Sequence, residues 1–304
     1  MRKIMGLLLI LTMILGLAAC GTKENEIASG TNQKESGDQD KSNNEDTDTK
    51  DKETESEDEP VVDNSLQYIL DNGKFILGLD DSFPPMGFRD DENNIVGFDI
   101  DLARAVCEKL GVELVLQPIE WAAKEMELST KNIDCIWNGF SITDERLKNL
   151  TMTAPYLENN ISLIVLGDSD ITSMADMAGK RLALQSGSSA EEALNSEANK
   201  EFKDSLGEIN GFDDYVTALM DLETKTSDAV LMDTVVANYM ISSAGKDFKV
   251  LDETLVADEY AIGFRKGEEA LCEAVWNALI ELKAEGKIEE IAIKWFGSDI
   301  TLIP

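Results

Sequence analysis

From Val61 to the C-terminus, apolar runs of strand length alternate with stretches in which apolar residues recur every three or four positions. No other feature constrains the chain as much, because strands separated by helical segments build mostly parallel sheets flanked by helices. Lys74–Leu79 reads as a buried strand. The segment 99–110 places Leu102, Ala103, Val106 and Leu110 on one helical face and stops at Gly111. The next strands fall at 112–117 and 133–137, with a helix over 121–130 between them. Further strands are expected at 162–166, 181–185, 228–232, 249–251 and 260–264, and helices at 189–197, 213–223 and 234–242. A helix over 268–284 carries the stripe Leu271, Val275, Leu279 and Leu282, and a last helix runs to Phe296. The fold class is α/β. At 304 residues the chain has room for two domains.

The first sixty residues do not share this pattern. Arg2 and Lys3 precede an apolar run from Ile4 to Ala19, too short to span a bilayer, which needs about 20 residues. Residues 1–19 read as a signal peptide, and the run ends Leu17-Ala18-Ala19-Cys20-Gly21. That ending resembles the bacterial lipoprotein signal, which implies cleavage before Cys20 and lipid on its thiol and new N-terminus. Each buried methylene adds about 0.8 kcal/mol, so more than one acyl chain gives a lasting anchor on the outer face of the cell membrane. Residues 21–59 hold 14 acids, 5 bases and almost nothing apolar. Such a stretch cannot offset its ordering entropy and should be a disordered, self-repelling spacer, so 20–60 reads as a lipidated cysteine and tether.

Charge and composition narrow the function. Acids outnumber bases 60 to 27, a formal net charge of −33. A field of that sign repels phosphate backbones, which disfavours nucleic acid as a partner. The sequence contains no histidine. Ser-His and Cys-His nucleophiles are therefore excluded, together with the commonest neutral zinc ligand. Cys107, Cys135 and Cys272 form no CxxC pair. They read as small buried hydrophobes rather than a metal cluster, with pairing among them left open. Asp99-Ile100-Asp101 lacks the glycine and distal glutamate of a calcium loop, so helix capping explains it and no metal site is expected.

In open α/β sheets ligands sit just past the carboxyl ends of strands. Here those ends read Asp80-Asp81-Ser82-Phe83, Asn138-Gly139-Phe140-Ser141, Ser186-Gly187-Ser188-Ser189 and Asp233-Thr234. The serine turn is either a carboxylate cradle or a plain helix cap. Arg146 lies in the first turn of a helix capped by Thr143, where the macrodipole disfavours a cation by roughly 0.3–1 kcal/mol. Either a neighbouring acid such as Asp144 holds it, or it grips a ligand carboxylate. Asp233 is a helix cap, an acceptor for an ammonium, or both. An anion grip and a cation grip in one cleft describe a zwitterion.

Four runs occur in order: Gly97-Phe98-Asp99-Ile100-Asp101-Leu102-Ala103, Trp137 through Arg146 (WNGFSITDER), Ala178-Gly179-Lys180 and Lys294-Trp295-Phe296-Gly297. Over about residues 65–297 the chain resembles the polar-amino-acid family of extracellular solute-binding proteins, receptors of ATP-driven (ABC) importers. The resemblance implies a periplasmic-binding-protein-like fold of type II, with two lobes closing on a ligand about two hinge strands. It puts 61–155 and 258–304 in one lobe and 156–257 in the other, the chain crossing near Pro155–Asn160 and returning near Leu255–Glu259. It further implies no enzyme activity, no cofactor, a membrane permease as partner, and an extracytoplasmic location. By that pattern Arg146 clamps the α-carboxylate, helped by the N–H groups of Ser141 and Ser189. Asp233 and the Gly139 carbonyl take the ammonium, while Phe83 and a half-exposed Trp121 sandwich the side chain. Asp80 faces the distal end of the ligand, beside Gln185 and Met232. The ligand class is a polar amino acid such as arginine, lysine, glutamine or cystine, with Asp80 tilting towards a basic one. Two alternatives are an enzyme on the same fold, similar to cyclohexadienyl dehydratase, and the sensing subunit of a signalling receptor.

Overall fold

The computed structural model describes residues 62–243 and 245–304. The leader, Cys20 and the acidic tether lie outside them. Twelve strands follow in chain order. β1 (Lys74–Leu79), β2 (Ser82–Phe83), β3 (Gly87–Arg89), β4 (Ile95–Val96), β5 (Glu113–Pro118) and β6 (Cys135–Ser141) come first. They are followed by β7 (Leu150–Met152), β8 (Leu157–Leu166), β9 (Arg181–Gln185), β10 (Glu208–Phe212), β11 (Ala229–Asp233) and β12 (Phe248–Arg265). One nine-stranded sheet runs β10-β9-β11-β8-β12-β6-β1-β5, with β7 on β12, and β2-β3-β4 form a small antiparallel sheet of their own.

Each end of the large sheet is parallel. β1 pairs in parallel with β5 and β6, and β9 with β10 and β11. Between these two sets, β8 and β12 run antiparallel to each other, from Phe248 opposite Leu166 to Tyr260 opposite Leu157. The pairing shifts register between Val250 and Thr254 and again between Thr254 and Val256. β8 also pairs with β11, and β12 with β6. The two parallel sets are thus joined through a pair of long strands, the two-lobed arrangement expected from the sequence.

Helices pack their apolar stripes on this sheet. In the helix Phe98–Leu110, Leu102, Ala103 and Val106 are buried, and Gly111 ends it in the left-handed conformation, its N–H reaching the Cys107 carbonyl. In Glu269–Ala284 the stripe Leu271, Val275, Leu279 and Leu282 is buried as expected. Each such side chain contributes roughly 1.5–3 kcal/mol. Cys107, Cys135 and Cys272 are buried, unpaired thiols.

Four expectations need correction. β6 does not stop at Trp137 but runs to Ser141, because Phe140 and Ser141 pair with Ala261 and Tyr260 of β12. The strands expected at 249–251 and 260–264 are one strand of 18 residues, and β8 begins at Leu157 rather than Ser162. Asp99 does not cap its helix: Gly97 is the N-cap and no side chain caps it. Instead the Asp99 carboxylate turns into the core, where Oδ2 accepts from the Gly139 N–H at 2.7 Å and from the Tyr156 hydroxyl at 2.8 Å.

Burial pushes the Asp99 carboxyl from the ordinary 3.8 up to about 7, against those two donors. The folded chain therefore keeps a proton there that the unfolded chain releases at about pH 4, and stability is lost as pH rises from about 4 to about 7. Asp99→Asn removes this loss. Relative to the parent it should gain stability across that window, by up to about 4 kcal/mol, as read by urea unfolding at its two ends. An equal difference at both ends would show that Asp99 is not raised.

Candidate functional site

Asp80, Phe83, Trp121, Gly139, Ser141, Arg146, Gln185, Ser189 and Asp233 all line one cavity, with Asn138, Ser188 and Tyr215 completing it. Met232 does not. Neighbouring residues on a strand face opposite ways, and Met232 is fully buried in the apolar core beneath β11. The cavity is narrow, leaving the centre of a water molecule about 10 Å³, room for roughly one water. Its walls touch across the gap. Gln185 Nε2 donates to Asp80 Oδ2 at 2.7 Å, and the Ser141 and Ser189 hydroxyls lie 2.9 Å apart.

Arg146 reaches the cavity from the helix Asp144–Asn149. Thr143 caps it as expected, Oγ1 accepting from the Arg146 N–H at 3.2 Å, with Asp144 and Glu145 in the first turn. Arg146 folds back from this helix and is 5% exposed. Its Nη1 donates to the Ser141 carbonyl at 2.8 Å, and its Cζ lies 4.2 Å from the centre of the Phe140 ring, a desolvated cation–π contact worth about 2 kcal/mol. The acid in reach is Glu125 at 3.9 Å, not Asp144. Opposite, Ser188 caps the helix Ser189–Asn195 by accepting from the Glu191 N–H at 3.2 Å. The serine turn thus caps a helix and also lines the cavity.

Asp233 lines the cavity from the end of β11. It stands at the N-cap of the helix Thr234–Ser242 but makes no side-chain cap bond. Its Oδ1 accepts from Asn159 Nδ2 at 2.6 Å and from the Tyr260 hydroxyl at 2.7 Å. Asn159 Nδ2 also donates to Asp258 Oδ2 at 2.8 Å, and Ser141 Oγ donates to the same oxygen at 2.7 Å. Two carboxylates therefore share one amide. Burial, then the charge of Asp258, pushes Asp233 up to about 7, and burial also raises Asp258. The hydrogen bonds described for Asp233 come from neutral donors alone. Burial and the charge of Asp258 therefore favour the protonated form of Asp233 unless a cation pairs with it.

At the distal end Asp80 Oδ1 accepts from the Ser82 N–H at 2.9 Å and from its hydroxyl. Burial raises its pKa. Phe83 packs on Tyr215 with centroids 5.9 Å apart. Trp121, 7% exposed, meets Phe140 edge-on at 6.0 Å, so it is buried rather than half exposed. It sits in a short turn, Trp121–Ala123, ahead of the helix Lys124–Ser129. Gly139 lies in the left-handed region (φ 57°), and a Cβ there would come 2.7 Å from the Phe83 ring. Its N–H is the one held by Asp99.

Two buried polar atoms of the cavity wall, Asn138 Nδ2 and the Tyr215 hydroxyl, have no hydrogen-bond partner among the described residues. Each such group costs about 1–3 kcal/mol. Sequence reasoning did not single out Asn138, Asn159, Ser188, Tyr215, Asp258 or Tyr260. Asn138 and Ser188 lie inside motifs that were quoted. Asn159 and Asp258 come together only because β8 and β12 place them opposite each other.

A hollow of about 620 Å³ adjoins the cavity past Arg146 and Ser188, lined among others by Lys124, Glu125, Glu145, Glu191 and Glu192. Lys124 is 2% exposed, and burial, then the nearby charge of Arg146, lowers it to about 8.

The described residues 75–298 match the family model of bacterial extracellular solute-binding proteins, family 3. The chain is 29% identical over 238 residues to the L-cystine-binding protein TcyJ of Escherichia coli K12, covering 78% of this chain and 87% of that protein. It is 31% identical over 229 residues to ABC transporter arginine-binding protein 1 of the same organism, covering 73% and 90%. An ABC uptake transporter substrate-binding protein from Streptococcus pneumoniae, solved with bound histidine, superposes with a TM-score of 0.76 at 38% identity, covering 79% and 98%. The chain belongs to the bacterial extracellular solute-binding proteins of family 3.

Proposed function

We propose that this chain is the receptor of an amino-acid ABC importer, closing on a free amino acid with a polar, preferably cationic, side chain and handing it to a membrane permease. The observation that carries this reading is the composition of the cavity wall. A buried guanidinium, Arg146, and a buried acid with neutral hydrogen-bond partners, Asp233, line the same cavity. Relatives named for cystine, arginine and histidine support the same class. Arg146 and the N–H groups of Ser141 and Ser189 hold the α-carboxylate. Asp233 and the Gly139 carbonyl hold the ammonium, and Phe83 and Trp121 flank the side chain. The lobes are 61–155 with 258–304, and 156–257. Asp80, bridged to Gln185 across the gap, takes the ligand's distal end, which replaces that bridge as the cleft widens to admit it.

The charge count favours a cationic side chain. Asp80 and Asp233 line the cavity against Arg146, so a ligand with net positive charge lets them ionise in place at less cost than a neutral one does. The dehydratase alternative requires a grip for a second substrate carboxylate, and Arg146 is the guanidinium that the cavity wall offers. We further propose that residues 1–19 are a signal peptide and that Cys20 carries the lipid anchor, which places the receptor on the outer face of the membrane.

Calorimetry against the common amino acids, ornithine and cystine is expected to find a ligand with a dissociation constant near ~1 µM. Arg146→Ala should weaken it by more than about 2 kcal/mol while far-ultraviolet circular dichroism is unchanged. Affinity within twofold of the parent would remove Arg146 from the carboxylate site. Asp80→Asn should weaken a cationic ligand far more than a neutral one of similar size, and equal losses would assign Asp80 a turn role only. Cys20→Ser should move the protein from the detergent phase to the aqueous phase of a cell extract. Retention in the detergent phase would refute the anchor.

A further inference from the structure

Lys124 is a buried cation that the recognition of a zwitterion does not use. It opens the helix Lys124–Ser129, one residue beyond the Trp121 turn, and belongs to the β1-β5-β6 end of the sheet. Its Nζ donates to the carbonyl of Gly187 at 2.8 Å and to that of Trp121 at 3.3 Å. It also stands 3.6 Å from Glu125 Oε1 and 5.2 Å from the centre of the Trp121 ring. Gly187 belongs to the other end of the sheet, in the turn that follows β9 and carries Ser188 and Ser189. The Gly187 N–H is held in turn by Glu191 Oε2 at 2.6 Å.

The two loops meet at van der Waals distance at this point. Gly187 is in the left-handed region (φ 71°), and a Cβ on it would come 2.9 Å from the Ala122 Cα. Any side chain there would hold the loops apart. Lys124 lines the adjoining hollow, not the cavity, so its bond to Gly187 does not compete with a ligand. A charge-assisted bond to a carbonyl is worth roughly twice a neutral one. Separating the loops would break it and hydrate the ammonium.

We infer that Lys124 is a latch across the cleft, a positioning residue that bonds the Gly187 carbonyl when the lobes are shut and thereby slows ligand escape without touching the ligand. This rests on the receptor reading above. The latch acts after encounter, so it changes the dissociation rate and leaves association alone, as is common for contacts formed late in binding. Gly187 and Ala122 supply the close approach that the latch requires.

Stopped-flow and surface-plasmon-resonance measurements with the amino acid found by calorimetry test the inference on the full folded domain. Lys124→Met is expected to raise the dissociation rate about tenfold or more, with association within twofold and the melting temperature of the ligand-free protein within a few degrees. Lys124→Arg, which keeps a cationic donor, should recover most of the loss. Gly187→Ala should raise the dissociation rate independently, and the double variant should be no faster than the faster single one, since both act on one contact. A dissociation rate within twofold of the parent in Lys124→Met would overturn the latch. So would a lowered melting temperature accompanied by an unchanged rate, which would make Lys124 a structural residue of its own lobe. If the parent binds no amino acid at all, it is the receptor reading that fails.

Discussion

The antiparallel pairing of β8 with β12 is the constraint on which the rest depends. The two parallel strand sets have their carboxyl ends on different parts of the chain, and nothing local brings those ends together. Through the ladder, Ser141 pairs with Tyr260, Tyr260 with Leu157, and a few residues along β8 Ile161 pairs with Asp233. That chain of pairings sets the tip of β6 and the tip of β11 at neighbouring levels. Arg146, one short helix after β6, and Asp233, the last residue of β11, then face a common space. Asn159 and Asp258 are opposite partners on the same ladder, so the strands that join the lobes also build the surroundings of Asp233.

Once charges are enclosed in this way, electrostatics governs what can occupy the space. Removing ions from water costs several kcal/mol each unless they are paired. The site meets that cost for Arg146 with the Phe140 face and the Ser141 carbonyl, and for Asp99 by raising its pKa so that it can remain neutral. For Asp233 it supplies an amide and a phenol and, as for Asp99, burial raises the pKa. A cation placed beside Asp233 would let it ionise at a lower cost.

Much of this was legible in the sequence because it is local. The strand Arg181–Gln185, the helix stripe ending at Leu282, the Thr143 cap and the placement of Arg146 just behind it depend on neighbours within a turn or two. What failed was long-range. Asp99 looks like a capping residue from its place at a helix start, yet its partners are a backbone N–H 40 residues away and a phenol 57 residues away. The acids Asp252, Glu253, Asp258 and Glu259 broke one long strand into two apparent short ones, because its middle is largely exposed to solvent. Met232 was drawn in by its neighbour Asp233, and strand alternation points it the other way. Asp258 carried no signal at all, since an acid in an acid-rich chain is unremarkable until a distant strand pairs with it.

The two register shifts in β12, between Val250 and Val256, have a mechanical meaning. A continuous hydrogen-bonded sheet resists being flexed edge to edge, and its stiffness is shared by every rung. Where rungs are missing and one strand carries surplus residues, the backbone bends and twists more easily. The bend and added twist are therefore confined to a few residues of β12, next to the rungs that carry Asp258 and Asn159.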